Sequence, residues 1–512
     1  MEKVVGEPAR AAAASLLPHF SFPMKYILAC WLALLALGTT RAQQFKVAYA
    51  PSAYTGPFTG NVILYLSQKN AQPKDHAGWP CYRLAVRGVR PGQTIVFSDA
   101  AISYPTLLSR LPRGEYYVQA VWDLNHGQAR VIGQSPGNPY SVARKITLAA
   151  PTDTFTLTCD QVVAPPIFVA STFCKELKVP SAKLSRFLHQ PTTLNAAVIL
   201  PASYYRHPTR RYPVLFTIGG FTASYLHYSR SVSTDTLPAT PIDTIACIRV
   251  YLDGECALGH SVYANSANNG PVGDAFTTEL LPYLDRQYRT NGGRVLRGHS
   301  SGGYAVAYLL THYPKLFAGG NASSPDPVDF HSFVGTNLYT ATRRTPFTDS
   351  VSMEQKPPVG VIFDRPNVAH SFEEVIYRGE QDASFDAVFS PRGPQGQPQP
   401  LFDSHTGALD RAVFAHWQRY DLTQYVRQHW ASLKPDLASK LRISVGTEDT
   451  YFLNQPVQLM EQQLKALGAD IPVVYFPGTH FTVFTPEYRK AETEWLKKTY
   501  LAWLGKHPLA AR

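Results

Sequence analysis

The sequence is poor in the residues that build metal and redox centres. Six cysteines occur in 512 residues, and none forms a C-x-x-C pair or joins a Cys/His cluster. That excludes the common zinc patterns, so no metal and no organic cofactor is expected. Runs of five or more basic residues are also missing, although the net charge is +11. Scattered Lys and Arg describe a solvated surface, whereas nucleic-acid binding needs a clustered basic patch. Charged residues make up 17 % and hydrophobic residues 45 %, the balance of a globular protein with a sizeable core. Beyond the N-terminal region no stretch reads as transmembrane.

What is present begins with a leader. From Met24, "MKYILACWLALLALGTTRAQQ" has one basic residue, an apolar run from Tyr26 to Leu37, and small residues at Thr40 and Ala42. The run is too short to span a bilayer comfortably. It reads as a secretory signal peptide cut after Ala42, with residues 1–23 as an upstream extension. The expected location is secreted or periplasmic. Cys30 lies inside the apolar run, against a lipoprotein anchor. Five cysteines then remain, an odd number, and Cys159 and Cys174 are a possible pair across a domain junction.

Residues 45–158 carry β signals. "GNVILYLSQ" and "RPGQTIVFSD" are strands after turn residues. "LPRGEYYVQAVWDLN" alternates Tyr116, Val118, Ala120 and Trp122 on one face. These predict a small all-β, sandwich-like domain with no catalytic constellation. Over 177–508 the rhythm changes. "AAVILP", "PVLFTI", "TIACIRVYL", "LRISV" and "IPVVYF" are apolar runs of the kind buried on both faces of a mostly parallel sheet. Helical patterns lie between them, including "DAFTTELLPYLDRQY", which Pro282 must bend, and "QPVQLMEQQLKALGAD". Alternating strands and helices predict an α/β fold. Residues 331–433 loosen into Pro/Gly/Gln segments and read as an insertion, either a lid or pocket wall or a surface elaboration.

Two serines sit in G-x-S-x-G: Ser135 and Ser300. The pattern arises by chance in about one chain in six of this length, so the match alone identifies neither. An ester-cleaving serine needs a sharp turn, a base, an acid to orient the base, and oxyanion donors. One donor is the N–H of the following residue. After Ser135 comes Pro136, which has no N–H, and more turns follow. After Ser300 comes Ser301, and then a helical stretch to Leu310, with a short strand before it. His299 reads as a packing or pocket residue. His480, after the last strand in "VVYFPGTHF", has the position of the base. For the acid, Asp449 in "VGTEDTYFL" is preferred, with Glu448 and Asp326 as alternatives. The second oxyanion donor is expected at Gly220 or Phe221, in the turn after "PVLFTI".

Six blocks carry a family resemblance: "RYPVLFTIGGF", "GHSVYANSANNGPVGDAFTTELLPYLDRQYR", "RGHSSGGYAVAYLLTHYPKLFAG", "ASSPDPVDF", "VGTEDTYFL" and "PGTHF". Over about 190–505 the chain resembles the secreted putative-esterase family, related to S-formylglutathione hydrolases, feruloyl esterases and enterochelin esterases. The resemblance implies an α/β-hydrolase with a mostly parallel central sheet and Ser300, Asp449 and His480 as its triad. Many members have a histidine before the paired glycines, where this chain has Ile218. The smaller β domain in front is similar in layout to enterochelin esterases. The function expected is an exported serine hydrolase of carboxylic esters, acting through an acyl-enzyme on a small-molecule or carbohydrate-linked ester. An acyltransferase with the same triad, a siderophore esterase and a non-enzymatic binding protein are the alternatives.

Overall fold

The computed structural model describes residues 43–75, 80–124, 132–231, 242–344, 375–376, 381–403 and 406–508. Residues 1–42, which include the stretch read above as a leader, lie outside them. No helix among the described residues is long and apolar enough to cross a membrane.

Nine strands form the N-terminal part: β1 (Gln44–Tyr49), β2 (Phe58–Ser67), β3 (Cys81–Val89), β4 (Ile95–Phe97), β5 (Ile102–Tyr104), β6 (Gly114–Trp122), β7 (Pro139–Ser141), β8 (Arg144–Leu148) and β9 (Thr154–Val162). They hydrogen-bond as one sheet in the order β4-β1-β9-β7-β6-β2-β3-β5, with β8 beside β6. The sheet is mixed, since β1 and β9 run parallel while β2 pairs antiparallel with β3 and β6. Tyr116, Val118, Ala120 and Trp122 are all buried in one cluster with residues of β1 and β9. The sheet therefore curls on itself: Tyr49 of β1 packs on Trp122 of β6, ring centroids 4.7 Å apart, although two strands lie between them in the ladder. Alternation specifies the buried face of each strand but not whether the layers belong to one sheet or two. On the opposite face Ile63, Tyr65 and Val121 are buried together with Val375 and Ile376, from far along the chain.

The second sheet has eight strands: β10 (Cys174–Pro180), β11 (Thr193–Ile199), β12 (Tyr212–Ile218), β13 (Ile248–Leu252), β14 (Thr290–His299), β15 (Gly319–Ser323), β16 (Leu441–Gly446) and β17 (Val473–Phe476). Their order is β10-β11-β13-β12-β14-β15-β16-β17. The β10–β11 and β11–β13 pairs are antiparallel, and the remaining neighbours are parallel. The run "AAVILP" thus lies in the antiparallel margin, although its composition matches the central strands. Both faces are covered, so composition reports burial and not direction.

Pro282 is accommodated by a change of helix type. A π segment, Phe276–Leu280, interrupts the helix, which resumes at Leu281 with Pro282 in its first turn, where a missing N–H costs least. Within 331–433, the helices Gln381–Phe389 and Arg411–Trp417 contribute Phe385, Phe389, Phe414 and Trp417 to the main core, and the helix Leu422–Leu437, which runs past the end of that stretch, adds Leu422, Val426 and Leu433. The Trp417 ring lies 5.2 Å from Phe333 and 5.0 Å from Phe389, and its N–H donates to Ser390 Oγ at 2.8 Å. The described part of this stretch contributes side chains to the main core. Residues 345–374, 377–380 and 404–405 of this stretch lie outside the described residues.

No disulfide is formed among the described cysteines, Cys81, Cys159, Cys174, Cys247 and Cys256. The pairing considered for Cys159 and Cys174 does not form. Cys159 is buried in the N-terminal core, donating to the Ala120 carbonyl, while Cys174 packs with Ala197 and Ile199 of the second sheet. Spacing in sequence carried no information about which sheet each thiol would enter.

Candidate active site

Strand β14 runs directly into the helix Ser301–His312, and Ser300 occupies the junction with φ 59° and ψ −126°. Positive φ is a strained conformation for a serine and persists only where its surroundings hold it. Here the Ser300 N–H donates to the Ser323 carbonyl (3.0 Å), and its own carbonyl accepts from Tyr304 (3.0 Å) and Asp326 (3.2 Å). Gly302 lets the helix start press on the end of β12: a methyl group there would lie 2.1 Å from the Ile218 carbonyl oxygen. The turn after β12 lies against the serine. A methyl on Gly220 would sit 3.1 Å from Ser300 Cβ and 3.6 Å from its Oγ. The Ser301 N–H, in the first helical turn, has no acceptor within its own helix. Gly220 and Ser301 therefore flank the serine, and Phe221 follows Gly220 in the same turn.

His480 and Asp449 come from the loops after β17 and β16. Backbone bonds from Thr447 to Phe476 (2.8 Å) and from Glu448 to Gly478 (3.0 Å) tie these loops together. His480 Nδ1 lies 2.8 Å from Asp449 Oδ2, and both side chains are buried. The other Asp449 oxygen accepts from the N–H groups of Tyr451 (3.0 Å) and Leu453 (3.4 Å). Both oxygens of this carboxylate are therefore engaged. Glu448, its neighbour in sequence, is exposed. His299 packs its ring 4.3 Å from that of His480 and places Nδ1 3.0 Å from Ser323 Oγ. Burial holds its pKa well below the usual value, the adjacent His480 adding to the effect, so it is a neutral packing residue.

One neighbour of Ser300 was underweighted by sequence reasoning. The hydrogen bond of the Ser300 hydroxyl is to Asp326 Oδ1, at 3.5 Å, and none to His480 is formed among the described residues. Proton transfer from Ser300 to His480 requires the hydroxyl to rotate toward the imidazole, a tightening common on substrate binding. Asp326 considered as the partner of His480 is not so placed; Asp449 occupies that position. Burial raises the Asp326 pKa to about 6. Gln381, from the 331–433 stretch, reaches Ser301 Oγ at 3.5 Å. Neither contact has a signal in the sequence, since both cross between distant elements.

Ser135, the other G-x-S-x-G serine, lies in the N-terminal part, buried at the end of a 3-10 turn. Asp329, His331 and Asp421 form a trio with metal-ligand spacing. Their groups already serve local structure: Asp329 bonds the backbone and ring of His331, and Asp421 accepts from Gln424, Phe330 and Tyr339.

The family model described as "Esterase: Putative esterase" matches residues 189–463, more than half of the chain. No curated protein matches the sequence. Among solved structures, the S-formylglutathione hydrolase from Agrobacterium tumefaciens is 15 % identical, covering 65 % of this chain and 97 % of its own, with a TM-score of 0.37. FphF, a fluorophosphonate-binding serine hydrolase of Staphylococcus aureus, is 16 % identical over 63 % of this chain and 98 % of its own, with a TM-score of 0.38. An IroE-like serine hydrolase from Shewanella oneidensis is 15 % identical over 64 % and 80 %, at 0.35. The family match, which covers the serine turn and the Asp449 loop and ends before His480, is what assigns the chain: it belongs to the putative esterase family and is a carboxylic ester hydrolase.

Proposed function

We propose that this esterase cleaves its substrate by nucleophilic catalysis at Ser300. Ser300 Oγ attacks the ester carbonyl carbon while His480 takes its proton. Asp449 holds the imidazole with Nδ1–H toward the carboxylate and stabilises the cation that forms. The N–H groups of Ser301 and of the Gly220–Phe221 turn receive the oxyanion. His480 returns the proton to the leaving alcohol, and water, activated in the same way, releases the acyl group. The observation that carries the reading is the buried 2.8 Å His480–Asp449 pair packed against the residue preceding a positive-φ serine. The α/β region is read as the catalytic domain and the curled β sheet as its companion. Export, with cleavage after Ala42, belongs to the same proposal, and the mass of the protein recovered from the cell exterior or periplasm tests it.

The decisive experiment is labelling of purified protein with a fluorophosphonate, beside Ser300→Ala and Ser135→Ala. Labelling should vanish in the first and persist in the second. Equal labelling of Ser300→Ala would overturn the assignment.

A further inference from the structure

In this structure the Ser300 hydroxyl bonds to the Asp326 carboxylate and not to His480. We propose that Asp326 is a catalytic residue that gates the nucleophile: ionised, it holds the Ser300 hydroxyl away from His480, and neutral, it releases it. This inference rests on the reading of Ser300 as the nucleophile.

Asp326 follows β15, and its backbone N–H bonds the Ser300 carbonyl, so its position relative to the serine turn is fixed. Its side chain is almost wholly buried, with Oδ1 3.5 Å from Ser300 Oγ. Oδ2 is buried without a hydrogen bond, the Ser301 hydroxyl being near but outside hydrogen-bonding geometry. A buried carboxylate with an unused oxygen is costly to ionise. The groups facing it are known from each side. His480 and the hydroxyls of Ser300 and Ser301 favour the anion, and Asp449 opposes it. Tyr304 of the Ser301–His312 helix and Tyr451 of the acid loop also face it, as phenols kept neutral by burial. Burial is the largest effect and lifts the carboxyl to about 6, so both forms are populated near neutral pH.

The two forms differ in what they offer the serine. An ionised carboxylate only accepts, so the Ser300 O–H donates to Oδ1 and its proton points away from the base. It also places negative charge beside the oxyanion that must form. A neutral carboxyl can donate to a lone pair of Oγ. The Ser300 proton is then free to pass to His480 as the Oγ–C bond forms and the carbonyl π pair moves onto oxygen. Asp326 keeps its own proton throughout, so the proton count of the reaction is unchanged.

The test compares wild type, Asp326→Asn and Ser300→Ala in fluorophosphonate labelling rate and in kcat/KM for p-nitrophenyl acetate across the pH range. Asn is neutral at every pH. The ratio of Asp326→Asn to wild-type rates should rise with pH through the mildly acidic range and reach about ten-fold in mild alkali, the worth of one charge-assisted hydrogen bond. A ratio that is flat or falls with pH overturns the gate. If the Asn variant does not fold, the wild type decides alone: a rate that passes a maximum near neutrality supports the gate, and a rate that rises steadily into mild alkali overturns it. Labelling retained in Ser300→Ala refutes the nucleophile itself, whereas labelling lost there with a flat ratio refutes only the gate.

Discussion

Replacing Asp449 by Asn is the sharpest probe of the proposed machinery, because the contacts leave the amide no good orientation. One Asp449 oxygen accepts from the backbone N–H groups of Tyr451 and Leu453, and the other faces His480 Nδ1 at 2.8 Å. In Asp449→Asn the amide oxygen must stay with the two backbone donors, which turns the NH2 toward His480. Nδ1 then has to accept, the imidazole proton moves to Nε2, and the base loses the lone pair that should take the Ser300 proton. Flipping the amide restores Nδ1–H but sets the NH2 against two N–H groups in a buried site. Loss of the correct tautomer in a serine triad costs about 10⁴-fold in kcat. That corresponds to about 5 kcal/mol of transition-state stabilisation. Steady-state hydrolysis of p-nitrophenyl acetate measures it, with a melting curve to show that the fold survives. An Asn variant retaining activity within about ten-fold of wild type would refute the role given to Asp449.

Other sites give independent checks. Gly302→Ala sets a methyl against the Ile218 and Gly219 carbonyl oxygens, and should lower stability by about 1–3 kcal/mol and depress kcat by shifting the oxyanion turn. Calorimetry and kinetics together read both effects, and a variant unchanged in each would contradict the packing described. Trp417→Ala removes a buried ring among Phe333 and Phe389 and takes the indole donor from Ser390 Oγ, for an expected loss of about 3–5 kcal/mol in denaturant unfolding. A loss below about 1 kcal/mol would return the 331–433 stretch to the surface. Burial raises the pKa of both the Cys159 and Cys174 thiols. Iodoacetamide should modify them only after unfolding, without added reductant; a requirement for reductant would reveal a disulfide.

Local chemistry was readable along the chain. The alternation of Tyr116 to Trp122 and the apolar runs of the second sheet depend on near neighbours, and near neighbours are what a sequence records. The contrast between Ser135 and Ser300 was readable for the same reason, since a following proline removes an N–H in any fold. Three things were not. Glu448 and Asp449 are adjacent in sequence, and only the path of the loop turns one to solvent and the other onto His480. β11 has the composition of a parallel strand and runs antiparallel, because burial on two faces leaves direction unspecified. The Asp326 carboxylate meets the Ser300 hydroxyl across 26 residues, a contact created by the adjacency of β14 and β15. The sequence by itself determined the residue types, the local turns and the strand–helix rhythm, which follow from backbone chemistry and short-range pattern. The tertiary structure alone decided which acid meets the base and which group holds the serine, because those contacts depend on strand order and loop path, and no short segment encodes either.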